Sequence, residues 1–150
     1  MALRTDRSIE PGFSQVTQTQ NSVIPDEGTF TPDLYGSTGA LDWDSLTSLG
    51  RYQKVGNKVS VDIYINGTNL LDQGAGFLRI GSFPFSANAS TFSTIGYVQS
   101  DKAINQVRFT NNGTEAILLN NGAAAPVSAI SLGANLSLML RIDYWLVDPA

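Results

Sequence analysis

Short runs of alternating apolar and polar residues dominate the chain from Gly28 onward. Gly, Asn, Ser and Pro separate these runs at intervals of roughly 8 to 12 residues, a spacing typical of β-sandwiches and barrels. No stretch keeps the 3.6-residue period of an amphipathic helix. The pattern predicts an all-β domain, an antiparallel, jelly-roll-like β-sandwich of two packed sheets. We expect strands at residues 29–35, 41–47, 50–55, 58–66, 77–81, 92–99, 104–110, 115–120 and 136–147.

The clearest alternation is KVSVDIYI, which places valines and isoleucines on one face of a strand. The preceding Gly56-Asn57 supplies the two central residues of a type II′ hairpin turn. That turn sets Arg51 opposite Asp62 on the outer face. An exposed cross-strand ion pair contributes only about 0.2 to 1 kcal/mol. We therefore interpret these charges as aids to strand register and solubility rather than as a ligand site.

A second hairpin is predicted around Asn112-Gly113, a pair typical of the type I′ turn, with Phe109 facing Ala116. Its tip is a candidate exposed loop. Upstream, the aromatic pair of Phe83-Pro84-Phe85 allows two interpretations. The rings form a contact patch on the surface, or, because proline cannot donate to a sheet, they close a strand end and pack into the core. We favour the core.

The last predicted strand, LSLMLRIDYWLV, is apolar at every second position, which indicates a central strand facing the core. Its other face carries Met139, Arg141, Asp143 and Trp145. Mixed apolar and charged residues on an outer face predict contact with another subunit or protein. We take Met139, Arg141 and Trp145 as the candidate residues for this contact.

Residues 1–27 differ from the rest of the chain. They are polar, rich in Gln, Ser and Thr, and show no period of either 3.6 or 2. Such a segment cannot alone bury enough apolar surface to offset its ordering entropy. We therefore divide the chain into an extended N-terminal arm, residues 1–27, and a β-domain, residues 28–150. The apolar residues of the arm are Ile9, Phe13, Val16, Val23 and Ile24.

Composition narrows the possible functions. The 150 residues suffice for one folded domain. The formal net charge is −4, and no stripe of Lys or Arg gathers to bind phosphates, so we expect no nucleic-acid partner. The absence of Cys and His excludes Cys nucleophiles, disulfides, thiolate or imidazole metal sites and Ser-His-Asp triads. No apolar run has the length of a signal peptide or a membrane span, so we expect no membrane partner. No motif indicates a cofactor or a bound metal.

One sequence feature suggests catalysis. Asp42 and Asp44 flank Trp43, and two carboxylates beside a ring that could stack on sugar suggest a glycan-cleaving site. Nothing in the surrounding sequence marks a cleft, and no ligand-dense loop indicates calcium. We interpret the two carboxylates as solvated edge charges and expect no enzyme activity.

A family resemblance adds to these patterns. GTFTPDLYGSTGALDWDSLTSLGRYQKVGNKVSVDIYIN followed by FLRIGSFPFSANAS resembles a β-sandwich module of tailed-bacteriophage virion proteins, at tips of tail fibres and head-associated fibres. The similarity covers residues 28 to 147 and is most specific at 28–36, 50–59 and 80–85. In fibres the module ends a long chain, whereas here a short arm precedes it. That arrangement looks more like a head-decoration, or cement, protein.

The resemblance implies a non-enzymatic virion protein, made in the host cytoplasm, that stabilises the outer surface of the phage head. Its partners would be the major capsid protein, bound through the arm, and further copies of itself in a homodimer or homotrimer. The alternative is a receptor- or carbohydrate-binding tip module of a tail fibre. In that case residues 70–76 and 111–114, as loops at one end of the sandwich, would make the contacts.

Overall fold

The computed structural model describes residues 26–88, 95–110 and 113–146. This part of the chain contains eleven β-strands and one short 3-10 helix, Val127–Ala129, and every strand pairing in it is antiparallel. The all-β prediction is thus confirmed. The strands are β1 Asp26–Phe30, β2 Asp33–Gly36, β3 Gly39–Ala40, β4 Asp42–Val55, β5 Lys58–Asp72, β6 Leu78–Gly81, β7 Ile95–Ser100, β8 Gln106–Phe109, β9 Ala116–Asn120, β10 Ala123–Ala124 and β11 Leu136–Trp145.

The strands form one continuous sheet in the order β1-β4-β5-β11-β7-β8-β9-β6-β2-β3, with β10 paired to β9. Contacts between distant strands show that this sheet folds over on itself. The ring of Phe30 in β1 lies 6.1 Å from that of Phe83, which follows β6, and Tyr52 in β4 lies 5.2 Å from Phe85. The two layers predicted from the sequence are therefore two halves of one folded sheet, enclosing one sandwich-like core.

The hairpin of β4 and β5 is the longest ladder of the sheet. Gly56 has a φ of 59° at the turn, and Arg51 pairs with Asp62, as predicted. The break expected between residues 47 and 50 is wrong, because β4 runs through it without interruption. Gly50 is required there by packing: a Cβ at this position would lie 2.7 Å from the Phe30 ring.

Near its far end this ladder changes phase. The register shifts between Asp42 and Trp43, and Asn69 on the opposite strand adopts a left-handed φ of 53°. Gly50 and Trp43 are both buried although they are an odd number of residues apart, so the inward–outward alternation of β4 changes phase between them. The Trp43 ring lies over Gly67 and is only 8% exposed.

The prediction of a central last strand is confirmed. β11 lies between β5 and β7, pairing with both. Its side chains point to alternate faces with the strand period of 2, and those that point inward are buried. These inward residues are Leu136, Leu138, Leu140, Ile142 and Tyr144.

The β8–β9 hairpin has the predicted register, with Phe109 opposite Ala116. Asn112 lies outside the described residues. The expectation of an exposed tip is wrong at Gly113, which is buried and accepts a hydrogen bond from the Ala87 N–H at 2.8 Å. This part of the tip is held against the chain that follows β6.

The aromatic residues after β6 belong to the core. The Phe83 ring lies 4.7 Å from Phe109 and 6.3 Å from Tyr144, and Phe85 packs edge-on against Tyr52. Tyr144 also donates a hydrogen bond to the Phe85 carbonyl at 3.1 Å. The core interpretation of these two phenylalanines is confirmed.

Most of the predicted arm, including Ile9, Phe13, Val16, Val23 and Ile24, lies outside the described residues. Its last two residues, Asp26 and Glu27, lie in β1, where they pair with Lys54 and Gln53 of β4. The sheet thus includes the last two residues that were assigned to the arm.

Candidate functional site: the outer face of the sheet

Four neighbouring strands, β4, β5, β11 and β7, present outward side chains in two adjacent rows. Strand pairing defines the rows, because residues directly opposite each other share a face. In the same strand order, the first row is Arg51, Asp62, Arg141 and Tyr97, and the second is Leu49, Tyr64, Met139 and Gln99. We call these eight residues the outer patch.

The charges of the first row are joined. Asp62 accepts from Arg51 Nε through Oδ2 at 3.3 Å and from Arg141 Nη1 through Oδ1 at 3.2 Å. Arg141 Nε also lies 3.7 Å from Asp143 Oδ1 on its own strand. The two arginine side chains are 77% and 57% exposed, so these ion pairs are solvated and contribute little to stability. They fix the positions of two guanidinium groups on the surface.

The outer patch is also apolar to an unusual degree. The exposed fractions of Leu49, Tyr64, Tyr97 and Met139 are 62%, 37%, 70% and 45%. Leu49 pairs with Tyr64, and Tyr64 pairs with Met139, so these side chains are contiguous across strands. Contiguous exposed apolar surface marks an interaction site more often than scattered apolar residues do.

A groove of about 900 Å³ runs over this face. All eight residues of the outer patch line it, together with Thr29, Phe30 and Thr31 from the β1 side. A smaller hollow of about 250 Å³ adjoins it beside Arg51 and Asp62, lined by polar residues that include Glu27 and Ser60. The groove therefore combines aromatic and aliphatic walls with fixed charges of both signs.

Of the partner-contact residues predicted from the sequence, the structure brings Met139 and Arg141 together in the outer patch. Trp145 is 47% exposed but pairs with Lys58 near the β4–β5 turn and does not line the groove. Tyr97 and Gln99 were missed, because only the pairing of β7 with β11 places them on this face.

The residues of the suggested glycan-cleaving site do not form that site. Asp42 and Asp44 are exposed, but the Trp43 ring between them is buried over Gly67 and cannot stack on a sugar. Regular alternation from the buried Gly50 would turn Trp43 outward, and the change of phase between these two residues turns it inward.

A second polar cluster joins three strands on the other half of the sheet. Glu115 Oε1 accepts from the Tyr35 hydroxyl and from Arg79 Nη1, both at 2.8 Å. Burial, and then the hydrogen bond to Glu115, raises the pKa of Tyr35 to about 12. Tyr35 lies in β2, Arg79 in β6 and Glu115 just before β9. We assign this cluster to strand cohesion, because Glu115 joins side chains from β2 and β6 by hydrogen bonds.

Among residues 26–88, 95–110 and 113–146, no cluster of three or more acidic side chains is arranged to hold a metal ion. The same part of the chain contains no helix that is long and apolar enough to cross a membrane.

No protein-family model matches the chain, and no curated protein is significantly similar to it. The fold and the outer patch define its class: a sandwich-like all-β protein with an exposed sheet face whose composition suits protein binding.

Proposed function

We propose that the protein is a non-enzymatic structural protein of a phage virion, which decorates the outer surface of the head and reinforces it. The arm, residues 1–27, attaches it to the major capsid protein, and the β-domain associates with further copies of itself. The observation that carries the binding role is the outer patch, with four large apolar side chains exposed beside paired charges.

The virion setting is supported by the resemblance of residues 28 to 147 to the phage β-sandwich module. The arm offers reach for attachment to a shell, since the 25 residues before β1 would span on the order of 80 to 90 Å if fully extended. Ordering them costs roughly 1 to 2 kcal/mol per residue, so binding requires burial of the apolar side chains and backbone pairing to shell strands. Those apolar side chains are Ile9, Phe13, Val16, Val23 and Ile24.

The test is co-sedimentation with bare and expanded phage capsids. The full chain is compared with a form beginning at Asp26, because β1 begins there and every described strand is kept. A full-length variant with Phe13→Ser and Val16→Ser tests the apolar contacts, and one with Ser14→Ala and Gln15→Ala is its matched control. We expect the full chain and the control to saturate shells and the other two forms to lose binding. Equal binding by all four forms would defeat arm attachment, and no binding by any would defeat decoration.

A receptor- or carbohydrate-binding tip module is the second candidate. Tyr64 and Tyr97 favour it, because exposed rings beside fixed carboxylate and guanidinium groups are suited to sugar stacking and hydrogen bonding. Two residues of the loops first expected to bind, 111 and 112, lie outside the described part of the chain. The other loop, residues 70–76, contacts the β2–β3 turn, where the Thr38 N–H donates to the Ala75 carbonyl at 3.2 Å. The signature of this function is host-cell binding that Tyr97→Ala abolishes and removal of the arm spares.

A further inference from the structure

The order of chemical types across the outer patch is complementary about its midpoint. From β4 to β7, its first row reads cation, anion, cation, aromatic: Arg51, Asp62, Arg141, Tyr97. Its second row reads Leu49, Tyr64, Met139, Gln99. The midpoint of both rows lies between β5 and β11, the two central strands of this face.

A twofold axis parallel to the strands at that midpoint would place a second copy of the face over the first. In this arrangement β5 of each copy lies over β11 of the other, and β4 of each lies over β7 of the other. Each row faces the same row of the second copy. Asp62 then meets Arg141 of the second copy, and Tyr64 meets its Met139. Arg51 meets Tyr97 of the second copy, and Leu49 meets its Gln99. The first three contacts are an ion pair, a sulfur–aromatic contact and a cation–π contact, all attractive, and the fourth joins an apolar side chain to an uncharged amide.

The alternative axes are less favourable. An axis along β5 would set Asp62 against its own copy and Arg51 against Arg141, so like charges would face each other. An axis along β11 would bring the two copies of Arg141 together. Like-charge contacts in an interface suppress association. Among twofold axes parallel to the strands, the order of residues thus favours the one between β5 and β11.

We propose that the outer patch is the interface of a homodimer, with β5 of each copy over β11 of the other. Charge supports a second copy as the occupant. The chain carries a net charge of −4, yet this face balances Arg51 and Arg141 against Asp62 and Asp143, so two copies meet there without net repulsion. The exposed apolar side chains would fill the space between sheets that pack about 10 Å apart. This proposal rests on the self-association named in the proposed function and specifies that the assembly is a dimer. It does not depend on shell binding.

The test uses two full-length variants, Asp62→Lys and Arg141→Glu, studied separately and mixed. Alone, each variant sets like charges against each other twice in a twofold dimer. Mixed, they form a heterodimer in which the introduced lysine meets the introduced glutamate, and the remaining Arg141 meets the remaining Asp62, so both contacts are restored. Within each variant copy, residues 62 and 141 carry like charges. Recovery of dimer affinity in the mixture can therefore come only from contacts between copies. Asp33→Lys, an exposed site in β2 away from the patch, is the control for the change in charge.

Mass and dimer affinity are measured by analytical ultracentrifugation, and circular dichroism verifies that each variant is folded. We expect the full chain and Asp33→Lys to dimerise, each patch variant to dimerise at least about tenfold more weakly, and the mixture to recover the original affinity. A monomeric full chain, dimers unaffected by either variant, or a mixture no stronger than its components would overturn the proposal. Shell co-sedimentation of the same samples separates the two questions: a dimer that binds no shells defeats only decoration, and a shell-binding monomer defeats only this interface.

Discussion

The indole ring of Trp43 lies against Gly67 so closely that a Cβ on the glycine would be 2.5 Å from the ring carbon Cε3. We expect Gly67→Ala to lower the free energy of unfolding by about 1 to 3 kcal/mol, the usual cost of overpacking a core. Urea denaturation measures it. Because the clash is with the ring, the same substitution is expected to cost less in a Trp43→Leu background. An equal cost in both backgrounds would show that the ring is not responsible.

Tyr144 is 1% exposed, and its hydroxyl donates to the Phe85 carbonyl at 3.1 Å. Tyr144→Phe leaves this carbonyl without its donor, so we expect a loss of about 1 to 2 kcal/mol of stability. Tyr97→Phe is the matched control, since the Tyr97 side chain is exposed and its change should stay within about 0.5 kcal/mol. Both are measured by chemical denaturation in dilute solution, and equal effects would contradict the prediction.

Alkaline pH should weaken the fold through Tyr35. Burial and the hydrogen bond to Glu115 raise its pKa from 10.0 to about 12, so the folded state favours the neutral phenol. This contribution is fully present below pH 10 and is lost as the pH rises from 10 toward 12. Burial also raises the pKa of Tyr144, which adds to the same trend. We expect Tyr35→Phe to unfold with a shallower dependence on alkaline pH, measured as the urea midpoint against pH, whereas an unchanged slope would refute this role.

Glu115 and Asp62 each accept hydrogen bonds from two side chains, but we expect their substitution to change stability by different amounts. Glu115 is the less exposed, with 21% of its side chain accessible against 39% for Asp62. We expect Glu115→Gln to cost about 1 to 3 kcal/mol, because it weakens charged hydrogen bonds to Arg79 and Tyr35 in a partly buried site. Asp62→Asn should change stability by less than about 1 kcal/mol in the monomer. Thermal unfolding of both variants at low concentration tests the order, and the reverse order would be inconsistent with the exposures.

Regular alternation made the central strands predictable. In β5 and β11 every second residue is buried along most of the strand, and a one-residue slip would expose that entire set, so local pattern and tertiary structure agree. The Gly56-Asn57 turn then fixed the pairing of Arg51 with Asp62. Phase changes were not predictable in the same way. Trp43 turns inward because the alternation of β4 changes phase between Gly50 and Trp43, and the sequence pattern gives no signal of that change.

The break predicted in β4 has a different cause. Ser48 and Gly50 are residue types common in turns, but Gly50 is glycine because the Phe30 ring of β1 occupies the space of a Cβ. A single sequence does not distinguish a glycine needed for packing from one needed for a turn. The same limit applies to the outer patch, since β7 and β11 are distant in sequence and their pairing leaves no local periodic signature.

The central position of β11 also bears on how the molecule is made. Among the described strands β11 is the last in the chain, yet it joins the half of the sheet containing β5 to the half containing β7. During translation, β5 and β7 leave the ribosome before β11. Until β11 has been made, each has an unpaired edge that can pair with a wrong strand. The two halves of the sheet are joined only when residues up to Trp145 have emerged, after all the other described strands have been made.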